Sequence, residues 1–281
     1  MENFRERHKD FIAPDAFSGR TVFVTGGGSG INLGLAQAFS ARGARVAICG
    51  RSQERLDHAV ALLRAGGGSA IGCRADVRDA GQMAEAFAHT SAELGDIDTL
   101  VCGAAGNFLA PAEKLSPNGF RTVIDIDLLG SFNAAHGAFP QLQRTRGNII
   151  FVSAPMATMP HLGQSHVCAA KSGVESLMKT LALEWGPHGV RSNSIVPGLV
   201  RDTEGLRRIF GGASDAEMAA HVPLGRLGSV AEIGDVALFL ASPLAAYVTG
   251  CTLWADGGQG LPGPAFFNRV ATDFLSASQR T

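Results

Sequence analysis

Short, nearly continuous apolar runs alternate along this chain with longer stretches of helical periodicity. The apolar runs predict strands over Thr21–Val24, Arg45–Cys49, Ala70–Cys73, Thr99–Cys102, Asn148–Val152, Ser192–Val196 and Thr252–Trp254. The stretches between them predict helices over Leu33–Arg42, Gln53–Ala65, Ala80–Leu94, a long one near Pro117–Leu142, Ser165–Trp185 and Ala231–Ala241. On the fifth of these, Val174, Leu177, Met178 and Leu181 form one apolar stripe. Apolar strands alternating with helices predict an α/β fold: one doubly wound parallel sheet of seven strands with helices on both faces. Residues 1–18 read as an N-terminal extension and 19–281 as a single domain. Gly66-Gly67-Gly68 is a turn after a helix rather than a domain boundary. Leu199–Leu224 interrupts the alternation and is the expected substrate lid, because binding loops lie beyond the C-terminal ends of parallel strands.

The chain has 281 residues, 46% of them hydrophobic and 17% charged, which suits one domain with a large core. A net charge of −1 gives no electrostatic footprint for nucleic acid or for a polybasic membrane contact. No apolar run approaches the ~18 residues that span a bilayer. Met1–Asp10 is charged and lacks the apolar core of a secretory signal, and Ser278-Gln279-Arg280-Thr281 does not read as a peroxisomal address. The five cysteines include no C-x-x-C pair, and Cys49, Cys73, Cys102 and Cys251 sit in or beside apolar runs. Buried reduced thiols and no metal site are expected. Together these features lead to the expectation of a cytoplasmic protein.

Thr25-Gly26-Gly27-Gly28-Ser29-Gly30-Ile31-Asn32 follows the first strand and opens a helix. Glycines there let backbone N–H groups approach a pyrophosphate, and the helix N-terminus favours its negative charge. The segment resembles the T-G-x-x-x-G-x-G loop of the short-chain dehydrogenase/reductase family, with Asn32 in place of the last Gly. Further landmarks follow in the family's order. Asp76-Val77 stands where the family seats adenine, and Gly103-Ala104-Ala105-Gly106 resembles its N-N-A-G turn in altered form. Arg191-Ser192-Asn193 precedes the sixth strand, Pro197-Gly198 follows it, and Thr203 lies beyond. The resemblance covers roughly Gly19 to Gly260 and implies a Rossmann-type fold and a nicotinamide cofactor. The second strand runs into Gly50-Arg51-Ser52 with no acid before Glu54. An acid there would bind a ribose 2′-OH, whereas Arg51 suits a 2′-phosphate, so NADP(H) is expected.

The family's usual catalytic set is Asn–Ser–Tyr–Lys. Lys171 matches its Lys, but the Tyr position is Val167, the Ser position is Ala154 and the Asn position is Asp127. The only tyrosine of the chain, Tyr247, lies elsewhere. A Tyr–Lys pair exchanges a proton with a carbinol; Val and Ala cannot, so alcohol and ketone chemistry is not expected. Ala104–Ala112, Asp125-Ile126-Asp127, His166–Lys171 and Thr203–Arg208 resemble the corresponding stretches of 2,4-dienoyl-CoA reductases, above all the peroxisomal type, which lacks the Tyr and carries Asp where others have Asn.

That resemblance implies NADPH-dependent reduction of 2,4-dienoyl-CoA, an acyl-CoA substrate and a homotetramer or dimer. Lys171 would hold the nicotinamide ribose and Asp127 would orient or protonate a relay water. Asn107 and Phe108 lie where the acyl chain would run, with core packing the competing reading for Phe108. His166 is a substrate-contacting donor or a packing residue; five residues from Lys171, it stands about 140° away around the helix. Arg78, Arg207 and Arg208 either meet CoA phosphates or are solvated charges. The cofactor set is Gly26, Ser29, Gly30, Ile31, Asn32, Arg51, Ser52, Asp76, Val77, Ala104, Ala105, Gly106, Lys171, Pro197, Gly198 and Thr203. The alternatives are another acyl-thioester C=C reductase, such as a trans-2-enoyl-CoA reductase, or a catalytically silent NADP(H)-binding scaffold or sensor.

Overall fold

The computed structural model describes residues 12–211 and 213–261. Most of the N-terminal extension and the Ser278–Thr281 tail lie outside the described residues. Seven parallel strands form one sheet: β1 (Thr21–Thr25), β2 (Arg45–Gly50), β3 (Ala70–Arg74), β4 (Thr99–Cys102), β5 (Asn148–Val152), β6 (Arg191–Pro197) and β7 (Thr252–Ala255). Their order is β3-β2-β1-β4-β5-β6-β7, so the winding reverses between β1 and β4. Ligands bind in the crevice at such a switch point, beyond the strands' C-terminal ends.

Strand side chains alternate between two cores. Phe23, Ala47, Cys49, Leu100, Ile149 and Phe151 face α3 (Ala80–Leu94), α5 (Gly130–Thr145) and α6 (Ser165–Trp185). Val22, Val24, Val46, Ile48, Val101 and Ile150 face α1 (Gly30–Ser40), α2 (Gln53–Ala65) and α9 (Val230–Ala241). Both faces are apolar because both are covered, which is why the strands read as continuous apolar runs. Cys49, Cys73 and Cys102 are buried as expected. Cys251 is exposed, against expectation, because β7 is an edge strand paired only with β6.

The predicted long helix is interrupted. α4 (Pro117–Val123) passes into a π-helical turn, Ile124–Leu129, and then into α5. A π turn inserts one extra residue into a helix and is frequent at functional sites. The expected lid contains two short helices, α7 (Glu204–Phe210) and α8 (Asp215–Ala219), started by side-chain caps from Thr203 and Ser214.

Candidate active site

The loop from β1 to α1 forms an open cradle. Gly26 and Gly30 have φ of +68° and +58°, and nothing stands within 4 Å of where a Cβ on Gly30 would lie. Ser29, the residue before α1, makes no side-chain cap bond, so the first-turn N–H groups of the helix remain available to a ligand. This geometry fits a dinucleotide pyrophosphate. Thr25 anchors the cradle to the neighbouring turn: its hydroxyl accepts from the Gly103 and Ala104 N–H groups at 2.9 and 3.1 Å and donates to the Val101 carbonyl at 3.3 Å.

At the adenine end, Arg51 and Ser52 are exposed at the end of β2. The Ser52 hydroxyl caps α2 through the Arg55 N–H. Arg78 grips the Asp76 carboxylate with Nε at 3.0 and 3.1 Å and Nη2 at 2.6 Å. This pairing, aided by the nearby Arg51, holds the Asp76 carboxyl below its ordinary range. Val77 is buried. On the other side Pro197 ends β6, and Gly198 lies against Asp256, 2.7 Å from its Cα to the position of an added Cβ. The Thr203 hydroxyl is occupied within the fold, donating to the Val200 carbonyl and capping α7.

The centre of the site is an ion pair. The π turn carries Asp127 into the interior, and α6 brings Lys171 from the other side, with Nζ–Oδ2 3.3 Å and both side chains buried. The contact is an ion pair without a well-directed hydrogen bond at Oδ2. Oδ1 accepts the Gly106 N–H at 2.7 Å, and Lys171 Nζ donates to the Val152 carbonyl at 3.0 Å. A cation and a carboxylate are thus held rigidly at the C-terminal end of β5. No hydroxyl stands at the two positions where the usual set has one. Val167 is packed among Val123, Ala170, Ile124 and Met156. Ala154 is half-buried, and the neighbouring Ser153 is buried beside it, its N–H bonded to the Ile195 carbonyl.

His166 is fully buried against Phe108, ring centroids 4.4 Å apart, and neither ring nitrogen has a hydrogen-bond partner. Burial pushes its pKa down, partly offset by the nearby Asp127 carboxylate. His166 thus feels the Asp127 charge, while the ion-pair contact with that carboxylate is made by Lys171. Gln164, absent from the sequence reading, holds this corner by donating from Nε2 to the Phe108 carbonyl at 3.1 Å. Beside it opens a cavity of about 680 Å³, lined largely by Leu109, Ala110, Pro111, His161, Leu162 and Ser165. Its walls come from residues 109–113 and 161–165, two loops that meet in space rather than in sequence. Arg208 ties α7 to the site's outer loop, reaching the Asn107 carbonyl at 3.4 Å and Glu204 at 2.6 Å, while Arg207 is exposed on the same short helix. Among the described residues no cluster of His, Cys, Asp or Glu could hold a metal, and no helix is long and apolar enough to cross a membrane.

Residues 26–259 match the family model described as enoyl-(acyl carrier protein) reductase. The peroxisomal 2,4-dienoyl-CoA reductase of Saccharomyces cerevisiae is 41% identical over 272 residues, covering 94% of this chain and 92% of its own. The enzyme of the same name from Arabidopsis thaliana is 40% identical over 276 residues, covering 94% and 92%. A short chain dehydrogenase from Bacillus anthracis superposes with a TM-score of 0.78 at 38% identity, covering 86% of this chain and 97% of that one. The relatives overturn the expected cytoplasmic location, since the yeast and plant enzymes are both peroxisomal. The expectation rested on reduced thiols and the lack of a secretory signal, which argue against secretion but do not distinguish one intracellular compartment from another.

Proposed function

The chain belongs to the short-chain dehydrogenase/reductase family, and from that premise we propose that it is an oxidoreductase that uses NADPH to reduce 2,4-dienoyl-CoA to 3-enoyl-CoA. The observation that carries this reading is the buried Asp127–Lys171 pair in a site whose Tyr and Ser positions are Val167 and Ala154. Such a site stabilises charge and moves a proton through water, but it has no phenol to exchange one with an alcohol.

When bound, the nicotinamide cofactor would supply a hydride; Gly26, Ser29, Gly30, Ile31 and the Ala104–Gly106 turn would hold it, with Arg51 toward a 2′-phosphate. A dienoyl thioester accepts hydride at its δ carbon, and the charge spreads to the thioester oxygen as a dienolate. Lys171 sets positive potential beside that oxygen and orients the ribose. Asp127, fixed by Gly106 and Lys171, orients the water that returns a proton to carbon. Phe108 and the Leu109–Pro111 wall of the cavity guide the acyl chain. Asn107 and His166 border the reacting end, while Arg207 and Arg208 face the CoA phosphates; Arg78 is instead engaged with Asp76 at the adenine end. Assembly into a homotetramer through the long helices completes the proposal.

The test is NADPH oxidation with 2,4-hexadienoyl-CoA, with trans-2-hexenoyl-CoA in parallel and the position of the remaining double bond read in the product. Preference for the enoyl substrate would favour the acyl-thioester reductase named by the family model. Oxidation of neither, with NADPH still bound, would leave a cofactor-binding scaffold. A panel of 3-hydroxyacyl-CoAs, steroids and sugars with NADP⁺ should remain at background, and robust turnover of any of them would refute the exclusion of alcohol chemistry.

A further inference from the structure

The cofactor loop and the turn after β4 depart from the family pattern at three positions, Asn32 for Gly, Gly103 for Asn and Ala104 for Asn, and the first two of these residues touch. The Asn32 side chain donates from Nδ2 to the Gly103 carbonyl at 2.7 Å. A Cβ on Gly103 would stand 2.1 Å from Asn32 Oδ1 and 2.5 Å from its Cγ, distances no side chain tolerates. On the other side, a Cβ on Gly26 would stand 3.1 Å from Asn32 Nδ2 and 3.0 Å from the Ala104 Cα. The amide is therefore boxed between two glycines and fills the space that a residue 103 side chain would occupy.

We propose that positions 32 and 103 have exchanged a side chain, making Asn32 the positioning residue that fixes the cofactor loop to the β4 turn. The functional half of this inference rests on the cofactor assignment above. Thr25 ties that turn to the end of β1, but only Asn32 ties it to α1, whose free N–H groups face the pyrophosphate. Three residues further along the turn, the Gly106 N–H holds Asp127. One short segment thus joins the helix that seats the cofactor to the carboxylate beside Lys171. A side chain can fill this space from either position but not from both at once.

The test is a double-mutant cycle of Asn32→Gly and Gly103→Asn, reading NADPH affinity by titration, apo melting temperature and the split between kcat and KM for NADPH. Loss of one hydrogen bond predicts about five- to tenfold weaker NADPH binding for Asn32→Gly. Gly103→Asn, which collides with the retained amide, should lose at least as much. The double variant should return to within about twofold of wild type, since coupled neighbours are non-additive. Losses that simply multiply in the double variant, or wild-type affinity in Asn32→Gly, would overturn the proposal. A purely structural contact would lower the melting temperature without moving NADPH affinity, and that result also overturns it. If Gly103→Asn does not fold, Gly103→Ala replaces it, because its Cβ meets the same atoms and should again be rescued by Asn32→Gly. Should the wild type bind no NADPH, the functional reading fails by itself, and the apo melting temperatures of the four proteins still decide whether the two positions are coupled.

Discussion

Replacing Asp127 by Asn separates its charge from its shape. The two charges are 3.3 Å apart and both side chains are buried, so at an effective dielectric of 20 their attraction is about 5 kcal/mol. Desolvation offsets most of that in the intact pair, but removing one partner strands the other charge in the interior, at a cost of about 3–5 kcal/mol. The Asn variant keeps an Oδ1 that accepts the Gly106 N–H, which places the loss at the lower end. A loss of about 3 kcal/mol lowers the melting temperature of a domain of this size by roughly 6–12 °C. The catalytic effect is separate: losing the group that orients the relay water should reduce kcat by about 10²–10⁴-fold, with little change in NADPH affinity. The assay is steady-state 2,4-hexadienoyl-CoA reduction at 25 °C, alongside NADPH titration and thermal melts that show both proteins folded at that temperature. A normal kcat with a lowered melting temperature would show that the carboxylate is structural. An unchanged melting temperature would contradict the buried pair itself.

Lys171→Ala should lower kcat and also weaken NADPH binding, measured by titration; full activity would withdraw the placement of the whole site. Arg51→Ala should erase most of an NADPH-over-NADH preference of at least about tenfold, worth ~1.4 kcal/mol, and equal affinities in the wild type would refute the 2′-phosphate reading. Glu232, gripped by Arg226 at 2.6 and 3.0 Å and closing the capping box of α9, has its carboxyl held down to about 2. Because its folded pKa lies below the unfolded value, its stabilisation is present above pH ~4.5 and is lost as pH falls through about 2. Glu232→Gln should therefore destabilise by about 1–2 kcal/mol at pH 7, after discounting for partial exposure, and the difference should vanish in melts near the low end of that window.

The strands were legible because a sheet covered on both faces leaves unbroken apolar runs, and all six sheet pairings join strands read from the sequence to within a residue at either end. Lys171 and Asp127 were legible as a pair through family spacing alone. What placed them in contact was not, because periodicity reasoning assumes 3.6 residues per turn and passes straight through Ile124–Leu129. The Asn32–Gly103 contact joins residues 71 apart in sequence, and local pattern carries no information about which loops meet. The helical wheel sets His166 about 140° from Lys171, but it could not show that the ring packs on Phe108, 58 positions away in sequence. Cys251 illustrates the same limit in the sheet: the apolar neighbours mark a strand, but strand order decides whether that strand is an edge.

The π turn also sets the phase between two halves of one rod. A residue advances a helix by about 100°, so the extra residue lets Val123 and Ile124 pack against Val167 while Ala134, Ala135, Ala138 and Leu142 keep their own alignment on the sheet. Deleting one residue from 124–129 would not merely shorten the element. It would force the two ends to compete for a single rotational setting, and whichever end lost would turn its apolar side by more than a quarter of a revolution away from its partners. Insertions and deletions here should accordingly be far less tolerated than substitutions, a asymmetry that separates this stretch from the surface loops of the same chain.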